Sequence, residues 1–522
     1  MSADDPERPE LPALTELRAR LAATTDAARP AAVARRRASG QRTTRENIAD
    51  LVDDGSFVEW GGLALAAQAR RLARAELIAA SPADGLVCGI GTVDGARTMI
   101  LAYDFTVFAG TQGVMGHKKL DRMLAIAASE ELPVVLFAEG GGGRPSDTDF
   151  PIIAGLDTPS FLAFARLSGA VPLVGIVSGR CFAGNAALLG CCDVIIATEN
   201  SNIGMGGPAM VEGGGLGSFA PEEIGPIGVQ SKNGVVDVRV ADEAAAVVAA
   251  TRYLGYARNN NNVRSEIGCA DQTQLRTALP ERRRRAYKIA PIIETIVDSG
   301  SLFELRREFG LGIVTAFARI GGRPLGIIAN NPYHLGGAID ADAADKAARF
   351  LQLCDAYALP IVSLVDTPGF MVGPKAETTA LVRHVSRLFV VAGAIRVPLF
   401  TIVLRKGYGL GAMAMAGGHF HAPMFTVAWP TGEFGGMGLE GAVRLAMKRQ
   451  LEAIADEAER ETLFQSLVAQ AYERGKAINM AAQLELDGVI DPADTRTWIL
   501  RGLASMKPAT MNQPRRRFID PW

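Results

Sequence analysis

Histidine is scarce in this chain, with five residues in 522, and cysteine nearly as scarce, with six. The cysteines at 88, 181, 191, 192, 269 and 354 include no Cys-x-x-Cys pair. That excludes a disulfide framework and points to a reducing, cytoplasmic setting. Three of them crowd the stretch SGRCFAGNAALLGCCDVI from Ser178 to Ile195, but a zinc site fails on spacing. Structural zinc needs ligands in pairs about two to four residues apart, and the histidines stand far off at 117, 334, 384, 419 and 421. Cys181, Cys191 and Cys192 therefore read as small buried apolar residues, and no metal is expected.

Net charge is lacking too. A balance of −2 offers no general attraction to nucleic acid or to anionic membrane. The basic runs Arg35–Arg37, Arg282–Arg285 and Arg515–Arg517 read as solvated faces or linkers. The longest apolar region, 170–197, is broken by Arg180 and Asp193, so no membrane span is expected. Asp4, Asp5, Glu7 and Glu10 precede any apolar stretch, unlike a signal peptide. Neither GxxxxGK[ST] nor an opening GxGxxG occurs, which disfavours ATP binding.

What is present is a chain too long for one core, with 48% hydrophobic and 21% charged residues. It is written twice. VPLVGIVSGRCFAG at Val171 returns as VPLFTIVLRKGYGLG at Val397, an offset of 226. At the same offset Arg97 in GARTMI matches Arg323, and Gly110 in FAGTQG matches Gly336. LPVVLFAEGG at Leu132 answers LPIVSLVDTPG at Leu359, one residue further along. Each copy alternates β-branched runs such as TMILAYDF and DVIIAT with amphipathic stretches. In HKKLDRMLAIAASEE, Leu120, Met123, Leu124 and Ala127 share one helical face. Such alternation predicts α/β units with helices covering sheets. We expect a helical arm over 1–34, a first domain over 35–258, a linker over 259–278 and a second domain over 279–522. Another helical region is expected over roughly Glu440 to Ala482.

In both copies an apolar strand breaks into small residues and a helix follows. Small residues let a backbone approach a ligand closely, and the first amides of a helix lack intrahelical partners. Together they can form an oxyanion hole. One such turn is equally explained by tight packing. Two at matching positions point to paired anion-stabilising sites, with glycine clusters EGGGGRP and IGMGGP nearby.

The chain also resembles a known family. DFTVFAGTQG, GIIANNP, DTPGF, RKGYGLGAMAMAGG and FTVAWPTGEFGGMG look like the carboxyltransferase component of biotin-dependent acyl-CoA carboxylases. The likeness runs from about Arg35 to the C-terminus. IGMGGPAMVEGGGLG and PRRRFIDPW are most similar to the branch in which long acyl-CoA carboxylases carry this module. The resemblance implies two tandem crotonase-like domains of the ClpP/crotonase ββα superhelix type. It implies acyl-CoA bound by the first, carboxybiotin received by the second, and an active site shared between protomers of a dimer or hexamer.

Carried over by position, the acyl-CoA oxyanion hole falls on Ala183 and Gly184, and the biotin-side hole on Gly409 and Leu410. Many relatives have glycine where Ala183 and Leu410 stand, so the donor pair could slip to Gly411. Gly141, Gly142, Gly143 and Arg144 are candidates to line the acyl-CoA site. Arg42, Arg45 and Lys118 or Lys119 are candidates for the CoA phosphates, and Ala412, Met413 and Ala414 would tolerate a longer acyl chain.

Biotin attachment uses a lysine in an AMKM-like hairpin, and SMKP at Ser505 is a poor match. Biotin is therefore expected on a separate carrier protein or domain. Biotin carboxylase and biotin carboxyl carrier protein, or a fused chain, are the expected partners. The rival readings are a biotin-dependent decarboxylase subunit and a non-catalytic paralogue. A third is a hydratase, which needs poised carboxylates, and for which Glu139 and Glu212 are the nearest offerings.

Overall fold

A computed structural model describes residues 11–150, 154–258, 268–506 and 518–522. The chain divides into two compact units, the first running to Leu254 and the second over Gly255–Asp520.

In unit 1 the strands are β1 (Val58–Glu59), β2 (Leu86–Val93), β3 (Ala96–Tyr103), β4 (Val134–Phe137), β5 (Leu173–Val177), β6 (Arg180–Phe182), β7 (Val194–Thr198), β8 (Asn202–Gly204) and β9 (Val238–Val240). Seven form one sheet in the order β1-β2-β3-β4-β5-β7-β9, while β6 pairs with β8 apart from it. β1, β2 and β3 are antiparallel and the rest parallel. Every residue of β4, β5 and β7 is buried. Strands covered on both faces read as unbroken apolar runs for that reason. The helix Val114–Ser129 buries Leu120, Met123, Leu124 and Ala127, the face its periodicity selects, against Met99, Leu101 and Leu136.

Unit 2 repeats the plan with β10 (Phe303–Leu305), β11 (Ile313–Ile320), β12 (Arg323–Asn330), β13 (Ile361–Thr367), β14 (Leu399–Tyr408), β15 (Phe425–Ala428), β16 (Glu433–Gly435) and β17 (Gly488–Val489). The order is β10-β11-β12-β13-β14-β15-β17, with the same alternation of antiparallel and parallel pairs. β14 does the work of β5 and β6 in one strand, its end pairing with β16 as β6 pairs with β8. The core gathers Ile293, Ile327, Phe400, Val427 and Trp429.

The repeat is real, but its register differs from the single offset read from sequence. The hairpin closes with Val93 opposite Ala96 in unit 1 and Ile320 opposite Arg323 in unit 2. Arg323 therefore corresponds to Ala96, not Arg97. The short helical turns Phe108–Gly110 and Leu335–Gly337 align Gly336 with Ala109, not Gly110. Tandem Gly321 and Gly322 let the short match slide by one residue.

At the N-terminus, helices Pro12–Ala22 and Pro30–Ala38 form, so the boundary between 34 and 35 falls inside the second. Residues 259–267 of the expected linker lie outside the described residues. Its remainder includes a 3₁₀ turn, Gln272–Thr277, which buries Leu275 in the core of unit 2. The helical region after Glu440 resolves into Leu439–Ala446, Lys448–Glu452, Glu457–Arg474 and Ala477–Ala482. Lys507 and Arg515–Arg517 lie outside the described residues. Among the described residues, no helix is long and apolar enough to cross a membrane.

Candidate active site

In unit 1, β6 ends at Phe182 and the helix Gly184–Gly190 begins two residues later. Ala183 makes the turn at φ 51°, ψ −122°, a conformation alanine rarely adopts. Its N–H donates to the Gly204 carbonyl at 3.1 Å, continuing the β6–β8 pairing. The Gly184 amide, at the head of the helix, makes no hydrogen bond among the described residues. A Cβ on Gly184 would overlap the Gln112 carboxamide, so a larger residue there would displace that side chain.

The glycine loop after β4 lies against this turn. Gly140 N–H donates to Arg180 O at 2.8 Å and Phe182 N–H to Gly140 O at 2.9 Å. Gln112 N–H donates to Gly142 O and Arg144 N–H to Gln112 O, at 2.7 and 2.9 Å. The Gly142 amide is held by the Asn185 carboxamide oxygen at 3.0 Å. Gly143 faces open space, and its amide has no partner among the described residues.

Unit 2 builds the same arrangement. Gly409 turns at φ 56° as the helix Gly409–Met415 begins. Behind it, Ile339 N–H donates to Gly369 O at 3.1 Å and Met371 N–H to Ile339 O at 2.8 Å, the counterparts of the Gln112 and Arg144 bonds. Gly142 and Gly369 both have positive φ, 88° and 123°. Leu410 is 60% exposed beside the turn. A cavity of about 1200 Å³ opens along Gly407, Gly409, Met413, Phe434 and Leu439.

Known proteins carry the same plan. The sequence profile of the carboxyl transferase domain matches residues 35–519. The chain belongs to that family. The methylmalonyl-CoA carboxyltransferase 12S subunit of Propionibacterium freudenreichii subsp. shermanii is 31% identical over 504 residues, 93% of this chain and 92% of that one. The biotin-dependent long chain acyl-coenzyme A carboxylase beta4 subunit of Mycobacterium tuberculosis is 31% identical over 94% of this chain and 93% of that one. Among solved structures, a single-chain, multi-domain long-chain acyl-CoA carboxylase superposes with a TM-score of 0.89 at 57% identity. It covers 95% of this chain, which spans about half, 49%, of that protein's length. The transcarboxylase 12S structure gives a TM-score of 0.83 at 28% identity, covering 98% of this chain and 100% of that one. The fold is thus crotonase-like, and the chain is a carboxyltransferase of the biotin-dependent type.

Within this carboxyltransferase, Arg144 sits beneath the glycine loop. Its guanidinium bonds Asp84, Asp147 and the Thr111 carbonyl, and it is only 8% exposed. Every one of these contacts points into protein, so Arg144 anchors the loop and does not line a ligand surface. Arg42 pairs with Asp50 at 2.8 Å and Arg45 with Glu59 at 2.9 Å. Lys119 is half-buried and donates to the Ala83 and Leu86 carbonyls, and desolvation pushes its pKa down. Lys118 is exposed, with its ammonium 4.6 Å from the centre of the Phe150 ring. Of these cations, Lys118 is the one left without an acidic or carbonyl partner among the described residues.

Glu139 lies two residues past the end of β4 in unit 1, and Asp366, near the end of β13, takes the corresponding place in unit 2. Glu139 is gripped by Arg36 and Gln41, yet burial pushes its pKa up to about 7. Asp366 accepts from Tyr287 Oη at 2.8 Å and from Arg405 Nε at 3.1 Å. Glu212 is exposed. Among the described residues, Glu139 and Glu212 are not brought together as the poised carboxylates a hydratase requires. Cys181 and Cys192 are buried and burial raises their thiol pKa, as suits core residues rather than nucleophiles. Two residues escaped sequence reasoning: Asn185 and Gln112. An asparagine one place inside a helix start, past the N-cap position that asparagine favours, was the signal available for the first.

Proposed function

We propose that this chain moves a carboxyl group between carboxybiotin on a separate carrier and the α-carbon of an acyl-CoA, with unit 1 holding the acyl-CoA and unit 2 the biotin. The observation that carries this is the matched pair of turns. Ala183 and Gly409 turn at φ 51° and 56°, each followed by a helix start and backed by a glycine loop. Deprotonating a thioester places negative charge on its carbonyl oxygen, and fixed backbone amides meet that charge without reorganising. In unit 1 the Gly184 and Gly143 amides suit this role. Ala183 acts by bending the chain, because its own amide already bonds Gly204. In unit 2 Leu410, with Gly409 as the bend, faces the ureido oxygen of biotin. The cavity beside Gly409 has room for that bicyclic ring. Carboxybiotin supplies the carboxyl group, and its ureido nitrogen the base, so no side chain need titrate.

The 57% identity to the long-chain carboxylase favours a long acyl chain. Lys118 is the best placed cation for a CoA phosphate. Biotin carboxylase and carrier protein act in trans or on a larger chain. Transcarboxylase 12S assembles as a hexamer, which favours a homo-oligomer here as well. Six unpaired cysteines fit the cytoplasm.

The test mixes the purified chain with carboxylated carrier protein and acyl-CoAs from short to long chain, scored by mass. A carboxylated long-chain product is expected. Binding of CoA esters without any carboxylated product overturns the proposal.

A further inference from the structure

We infer that Asn185 is a positioning residue of the acyl-CoA half-reaction: its carboxamide sets where the glycine loop stands relative to the Gly184 amide. Asn185 is fully buried. Its Oδ1 accepts from Gly142 N–H at 3.0 Å, and its Nδ2 donates to Gly110 O at 3.3 Å. One side chain thus ties three segments together: the helix that presents Gly184, the loop that carries Gly143, and the turn before the helix Val114–Ser129.

The loop is shaped to receive it. A Cβ on Gly140 would overlap the Asn185 amide, and one on Gly142 would come within 2.6 Å of the Ala183 methyl. Buried polar groups are costly unless both ends are satisfied, so the carboxamide has one orientation, and the Gly142 peptide plane follows it. The Gly143 amide is the next one along. Unit 2 has no such side chain. Gly411 occupies the same place, and a Cβ there would stand 2.7 Å from Gly369 Cα. Backbone touches backbone directly in unit 2, whereas unit 1 interposes a hydrogen-bonded spacer.

The inference deepens the proposed function and rests on it. The experiment compares wild type, Asn185→Ala and Asn185→Asp in the full chain with carboxylated carrier and the preferred acyl-CoA. For Asn185→Ala, kcat is expected to fall about 10–100-fold. KM should stay within threefold, and calorimetry should still find one acyl-CoA bound per chain. Asn185→Asp keeps the acceptor for Gly142 N–H but puts negative charge beside the developing oxyanion, and is expected to lose more kcat than Asn185→Ala. Release of CO₂ from the carrier without acyl-CoA, which the proposal assigns to unit 2, should stay within twofold in both variants. Unchanged kcat in both variants overturns the inference, as does a fall in kcat matched by an equal fall in bound acyl-CoA. A wild type that carboxylates nothing overturns the proposed function instead.

Discussion

In unit 1 the loop behind the active turn is tied by Asn185, and the turn itself is bent by an alanine. In unit 2 the same places are held by Gly411 and Gly409. The acids beneath the loops diverge as well. Glu139 faces Arg36, Gln41 and a cavity of about 790 Å³, while Asp366 is enclosed by Tyr287 and Arg405. Strand order, strand direction and the positive φ of the turn survive between the units, and side chains do not. That is the pattern expected when chemistry is done by main-chain N–H groups. The backbone path is constrained, and any side chain that reproduces the path is tolerated.

The largest effect should come from removing an amide without removing a fold element. Leu410 is the second residue of its helix, where proline is accommodated because that N–H has no intrahelical partner. Leu410→Pro is expected to lower kcat about 10²–10³-fold, the usual cost of deleting one oxyanion donor. Leu410→Ala, which keeps the amide, should stay within about threefold. Steady-state kinetics on both variants, with circular dichroism to confirm folding, makes the check. Equal losses would show that the side chain, not the backbone, matters in unit 2.

Much of this organisation was legible in the chain itself. Parallel strands buried on both faces appear as β-branched runs, and a strand that becomes a helix through small residues marks the turn. Register was harder: GARTMI and GRPLGI match almost as well one residue apart, and only the hairpin pairing decides. Arg144 was visible as a cation and Asp147 stands three residues on, but Asp84, which holds it more closely, is a tertiary neighbour. The Gly204 carbonyl that takes the Ala183 amide comes from β8, across an intervening helix and strand, and no local pattern announces it. Asn185 escaped for the same reason, since its value lies in Gly142 and Gly110.

Glu139 offers a pH test of how the units differ. Burial is the main cause that raises its pKa from the ordinary 4.5 to about 7, Arg36 opposes it, and Glu243 adds to it. The folded state therefore binds this proton more tightly than the unfolded chain. The associated stability is present in full below pH 4.5 and is lost as pH rises through 7. In Glu139→Gln that loss disappears. Urea unfolding at pH 5, 6, 7 and 8 should show the variant gaining on wild type by roughly 2–3 kcal/mol across the range. A gap that stays constant with pH would mean that Arg36 keeps Glu139 ionised throughout, making it behave as a simple ion pair.

The smallest effect concerns the bend itself. At φ 51° and ψ −122° an alanine carries strain of order 1–3 kcal/mol. Glycine would relieve it but would cost about 0.5–1 kcal/mol through the extra freedom of the unfolded chain. It would also vacate the space beside Gly142 that the methyl now fills. Ala183→Gly is therefore expected to stabilise the chain by about 1 kcal/mol in urea unfolding, with kcat within twofold, because the Gly184 amide keeps its place. If kcat instead falls while stability rises, the methyl is holding the Gly142 loop in position. The strain at Ala183 would then serve the reaction, and the alanine in unit 1 would differ in function from the glycine in unit 2.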